Sequence, residues 1–221
     1  LKKSTILILV IVLILLIDQC LKIYIKTSFP LGGGFNILGL DWARIHFVEN
    51  EGMAFGLSFG GMTGKYLLSI FRIVMVGFLI YFLKTLIRSG EPFGLQLSFA
   101  LIIAGAIGNI LDSMFYGLVF SESCFHCGIA EMWPEGGGYA GFLQGSVVDM
   151  FYFPMIDTYL PEWVPRVGGN RFAFFKPVFN VADSAISVGV AIILLFYRSY
   201  FIHPKKAHKK KESSEKIHST A

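Results

Sequence analysis

Residues 4–25 read STILILVIVLILLIDQCLKIYI, an apolar run whose only charges, Asp18 and Lys22, fall near its far end. A helix needs about 20 such residues to cross a hydrocarbon core of roughly 30 Å, and this run is long enough. Working outward, residues 66–88, 94–117 and 178–201 meet the same requirement. The whole chain is 54% hydrophobic and 15% charged, with a mean hydropathy of +0.63, a composition that fits a bilayer better than a water-soluble core. The first run also admits reading as a cleaved signal peptide, because Lys2 and Lys3 precede it and it ends near Cys20. Asp18 and Gln19, however, stand where a cleavage site wants small residues, so a retained span is expected.

Basic residues orient the spans. Lys2 and Lys3 precede the first, Lys84 and Arg88 flank the turn between the second and third, and a basic stretch from Arg198 follows the fourth. The positive-inside rule puts both termini and that turn in the cytoplasm and leaves 26–65 and 118–177 facing outward. The net charge of +4 is concentrated in the tail, and 203–221 reads as a disordered basic cytoplasmic end; no nucleic-acid partner is expected. The first outer loop is glycine-rich, with β-like runs at 35–38 and 43–48. The expected fold is therefore mainly α and integral to the membrane: four transmembrane helices with a small extracytoplasmic β-sheet on the outer face.

Ionisable groups inside spans are costly, which makes them functional candidates. Counting about 1.5 Å per residue, Asp18, Arg72, Asp112 and Asp183 all lie about 8 to 10 Å below the outer end of their spans. Asp18 and Lys22, four apart, can pair on one helix face, and Asn109 with Asp112 and Asn180 with Asp183 share faces at a spacing of three. Asp18, Lys22 and Arg72 read as structural pairs and interhelical hydrogen bonds. Asp183 has only Lys176 as a nearby opposite charge in sequence, and GSVVD at 145–149 brings a second carboxylate, Asp149, to the same surface. Two carboxylates close together share one proton, so one can act as general base on water while the other donates to a carbonyl oxygen.

Five pieces then fall in a recognisable order. DQCLK at 18–22, NEGMAFG at 50–56, GAIGNILD at 105–112, VVD at 147–149 and FNVAD at 179–183 together resemble the lipoprotein signal peptidase (signal peptidase II) family across nearly all of 15–195. The resemblance implies an aspartic endopeptidase with catalytic Asp149 and Asp183, a substrate site lined by Asn50, Gly52, Phe55, Asn109, Asn180 and Ala182, and polar support from Asp18, Lys22 and Asp112. It implies diacylglyceryl-modified prolipoprotein substrates cut just before the lipidated cysteine. It also implies a multi-pass protein of the bacterial inner membrane, in contact with lipid, with its active site on the outer face. No cofactor and no metal are expected, and a monomer is. Residues 1–202 would form the peptidase domain, with an outer β-rich loop at about 26–65. Two departures stand out: Ser113 occupies the position where the family usually has arginine, and about 118–145 is additional to the family pattern.

Other signals are weaker. Cys124 and Cys127 form a CxxC with His126 between them; metal site, disulfide and free thiols are all open, with free thiols expected. GLSFG at 56–60 matches GxSxG, and His46 would have to serve Ser58, but the strand-turn-helix setting of that motif is missing. No HExxH occurs. The rival from another class is a small transporter or lipid-binding protein using the outer-facing acids. The apolar inner halves of the spans suit it poorly.

Overall fold

A computed structural model describes residues 2–50, 61–159, 161–174 and 176–202. Four helices in it are long and apolar enough to cross a membrane: α1 (Lys3–Ser28), α2 (Gly61–Arg88), α3 (Phe93–Val119), and α4 (Val181–Ile192), which continues through a π-helical turn, Ile193–Tyr197, into α5 (Arg198–Ile202). Over half of the most apolar part of α3 (56%) is buried, against 11–17% in the other three. The third helix is therefore the axis of the bundle, and the rest turn large apolar side chains outward, such as Leu13, Leu67 and Leu195. Close approach to α3 depends on small residues. A Cβ at Gly105 would meet the Ala182 carbonyl oxygen at 2.1 Å, and one at Gly108 would meet Asp18 Oδ2 at 2.8 Å.

Between the helices the chain forms a four-stranded antiparallel sheet in the order β1 (Gly34–Asn36), β2 (Arg44–Asn50), β3 (Val147–Tyr152), β6 (Val178–Phe179), and a separate hairpin of β4 (Ile156–Tyr159) and β5 (Arg171–Phe174). The larger sheet seats Phe47, Val148 and Met150 on Ile25 of α1 and on Tyr116 and Phe120 at the end of α3. A second cluster of Leu7, Leu83, Leu86, Leu95, Phe99 and Ile103 closes the opposite end of the bundle. Register decides what meets what: Val48 lies opposite Asp149, Asn50 opposite Val147, and Phe179 opposite Phe151.

Three expectations change. Val178 and Phe179 are strand rather than the start of the fourth span, because Asn180 caps α4 and the helix begins at Val181. The first β-like run stops at Asn36, since Leu38 is left-handed (φ 53°) within a 3-10 turn at Ile37–Gly39. Cys124 and Cys127 are not free thiols. They form a disulfide, the turn bringing their Cα atoms to 5.1 Å, within disulfide reach. The segment carrying them is tied down by the bridges Pro30 to Ile129 and Phe120 to Met132. The proposed tail at 203–221 lies outside the described residues.

Candidate active site

The site is assembled from three helices and two strands around a buried ammonium. Lys22 on α1 is fully buried; its Nζ lies 2.9 Å from Asp18 Oδ2 and 2.8 Å from Asp112 Oδ2, and donates to Asn109 Oδ1 at 2.9 Å. Gln19 reinforces this, donating to Asp112 Oδ1 at 2.9 Å and to Asp18 Oδ2 at 3.1 Å. The cluster reaches outward as well. Asp18 Oδ1 accepts from the Ala182 backbone N–H at 2.8 Å, and Asp112 Oδ2 accepts from that of Val148 at 3.3 Å. The starts of α4 and of β3 are thus fixed to the same charges. Replacing Lys22 with methionine leaves Asp18 and Asp112 buried without their cation. The expected cost is about 3 to 5 kcal/mol of stability, read as a lowered denaturation midpoint in detergent; an unchanged midpoint would remove Lys22 as the organising charge.

Asn180 joins the two candidate catalytic acids. As N-cap of α4 its Oδ1 accepts from Asp183 N–H at 2.9 Å, while its own N–H donates to Asp183 Oδ2 at 3.3 Å, a reciprocal capping pair. Its Nδ2 donates to Asp149 Oδ1 at 2.7 Å. The remaining oxygens are held by the other two asparagines: Asn109 Nδ2 donates to Asp183 Oδ1 at 2.8 Å, and Asn50 Nδ2 donates to Asp149 Oδ2. Asp149 is 3% exposed. Burial, and then the negative charge of Asp183, push its carboxyl up to about 7 against the pull of Asn50, Lys22 and Asn180.

Of the residues singled out from the sequence, Asn50, Asn109, Asn180, Ala182, Asp149 and Asp183 converge here, with Asp18, Lys22 and Asp112 beneath them. Gly52, Phe55 and Ser58 lie outside the described residues. The charge expected beside the third-span aspartate comes from another helix. Ser113 turns its hydroxyl to the Asn109 carbonyl at 3.2 Å, and Lys22 supplies the cation to Asp112. Arg72 on α2 lies within electrostatic reach of Asp183, a partner that no short spacing in the chain reveals. Gln19, to which the sequence assigns no role at the site, joins it as a donor to Asp112, and its place between Asp18 and Lys22 is the signal for that.

A family model for signal peptidase (SPase) II matches residues 10–199. The chain belongs to the signal peptidase II family. As a member it is an aspartic-type membrane protease, which sets aside the transporter reading. The lipoprotein signal peptidase of Porphyromonas gingivalis is 52% identical over 188 residues, covering 85% of this chain and 80% of that one. That of Amoebophilus asiaticus is 34% identical over 206 residues, covering 92% and 82%. In three dimensions the chain resembles a bacterial membrane enzyme structure obtained by the in meso method at 2.3 Å resolution. The TM-score is 0.56 at 22% identity, with 91% of this chain and 92% of that one covered, a likeness of fold.

Proposed function

We propose that Asp149 and Asp183 form the catalytic dyad of this signal peptidase II, and that it removes signal peptides from diacylglyceryl-modified prolipoproteins by cutting just before the lipidated cysteine. The observation that carries this reading is the shared bracing of the two carboxylates: Asn180 donates to Asp149 through its side-chain amide and to Asp183 through its backbone N–H, while Asn50 and Asn109 each take a remaining oxygen. A carboxyl pushed up to about 7 beside a second acid suits a pair that holds one proton between them. One member then draws a proton from water as the water attacks the scissile carbonyl, while the other protonates the carbonyl oxygen to give a gem-diol. As the C–N bond breaks, the first passes the water-derived proton to the leaving amine and the second takes a proton back from the gem-diol as the carbonyl re-forms, which restores the singly protonated pair. Asn50, Asn109 and Asn180, with Gly52, Phe55 and Ala182, would line the extended peptide. In this reading residues 1–202 are the peptidase domain, both termini are cytoplasmic, and the dyad works at the outer face of the bacterial inner membrane.

The test is cleavage of a diacylglyceryl-modified precursor by the purified protein in detergent, without any added factor, followed across pH. Because the shared proton is lost as the pair titrates, kcat/KM should fall about tenfold per pH unit above about 7. The fall belongs to the pair and runs in the alkaline direction, since the proton-bearing form is the active one. No cleavage at any pH would overturn the assignment, and a rate flat from about pH 6 to about pH 9 would remove the shared proton from the mechanism.

A further inference from the structure

A second buried cation lies one helical turn beyond the first. Lys26 is fully buried, its ammonium paired with the Glu49 carboxylate and donating to Ser123 Oγ at 2.7 Å; Ser123 in turn donates to the same Glu49 oxygen at 3.0 Å. Ring centroids of Tyr139, Phe120 and Phe47 stand 5.1, 5.5 and 6.0 Å from Nζ. A buried charge needs such a complete set of partners. Ser123, Phe120 and Tyr139 all belong to segment 118–145, the stretch additional to the family pattern. The same segment also grips the strand that carries Asp149: the Tyr139 hydroxyl accepts from Ser146 N–H at 2.7 Å, just ahead of β3.

Neighbouring residues of a strand point to opposite faces, so Glu49 and Asn50 anchor one stretch of β2 from its two sides. Asn50 is the last residue of β2, where a strand opens first, and its amide holds Asp149 Oδ2. We propose that Ser123 and Tyr139 are positioning residues, and that segment 118–145 is a clamp that holds the ends of β2 and β3 in the register that sets Asn50 against Asp149. Ser123 acts through Glu49 and Tyr139 through the entry to β3; neither touches the reacting atoms. The inference rests on the dyad reading above.

The decisive variant is Ser123→Ala in the full-length protein. It removes the hydroxyl bridge but leaves the Lys26 to Glu49 ion pair in place. With a diacylglyceryl-modified precursor, kcat should fall about tenfold, because a small displacement of a positioned group is costly to rate. KM should stay within about twofold, since Ser123 acts through Glu49 and is not placed at the substrate. Ser123→Thr, which keeps the hydroxyl, should recover most of kcat. Unchanged kcat in the alanine variant, a threonine variant no better than alanine, or a fall in kcat matched by an equal fall in folded protein would each overturn the clamp. Should Ser123→Ala fail to fold, Tyr139→Phe answers the same question by leaving Ser146 N–H without its acceptor, and full kcat there is equally fatal. Asp149→Asn run alongside separates the two ideas. If it stays active, the dyad reading fails and the clamp with it; if it is dead while Ser123→Ala is fully active, only the clamp fails.

Discussion

Asp149→Asn and Asp183→Asn are each expected to lower kcat by about a thousandfold or more while the protein remains folded, because in the proposed mechanism each removes one half of an acid-base pair. Folding should survive for a reason visible at the site. Both oxygens of Asp149 accept hydrogen bonds, from Asn50 and Asn180, so an amide there sets one NH2 group against a donor. That mismatch costs about 1 to 3 kcal/mol. Against it stands the removal of a charge from a site only 3% exposed, where burial itself has driven the carboxyl up to about 7. The two effects oppose each other and leave a small net change. Cleavage of a lipid-modified precursor, measured beside a thermal unfolding curve in the same detergent, tests both halves. Full activity in either variant excludes the role assigned to that residue, and loss of the unfolding transition would assign the effect to structure.

A comparably large effect is expected from the substrate's lipid. A precursor carrying diacylglyceryl on its cysteine should be cut with a kcat/KM about a hundredfold or more above that of the same peptide unmodified. Each buried CH₂ contributes about 0.8 kcal/mol, so four of them held by protein or bilayer give about 3 kcal/mol, about two decades in rate. The structure offers an apolar shelf beside the proposed dyad. Phe151 shares a strand face with Asp149, and its ring lies 6.3 Å from Phe153 and 5.8 Å from Phe179, with Phe153 and Phe179 5.6 Å apart. An acyl chain lodged beside these rings would fix the depth of the scissile bond and leave the peptide little freedom to lose at the moment of attack. Equal rates for the two precursors, at equal concentration in the same detergent, would sink the lipoprotein assignment and leave a more general membrane peptidase.

What could be read from the chain, and what could not, follows the range of each interaction. Spans were legible because their length and apolarity are local, and the pairing of Asp18 with Lys22 because four residues is one helical turn. That Asp112 would be the second partner of Lys22 was not, since it comes from α3 and only packing brings it there. The Lys26, Glu49 and Ser123 cluster was hidden for the same reason, its members coming from a helix, a strand and a loop. The apolarity of Val178 and Phe179 continues the fourth span, yet they form strand β6: Asn180 followed three residues later by Asp183 is a capping pattern, and it puts both outside the helix. A CxxC spacing fits metal, thiol and disulfide alike, and only the turn that brings Cys124 to Cys127 selects the disulfide.

The four-residue spacing of Asp18 and Lys22 also bears on biogenesis. A lone Asp or Lys at the middle of a nascent transmembrane helix raises its insertion free energy by about 2.5 to 3.5 kcal/mol. Paired across one turn, Asp18 and Lys22 partly neutralise each other, which lowers the cost of inserting α1, whose most apolar 18-residue window has a mean hydropathy of 2.8, while Lys26 lies a further turn towards the helix end. The third helix has no such provision: it carries Asp112 and no basic residue of its own. Its acid pairs with Lys22 of α1 in the folded bundle, a cation that lies earlier in the chain and is therefore made first.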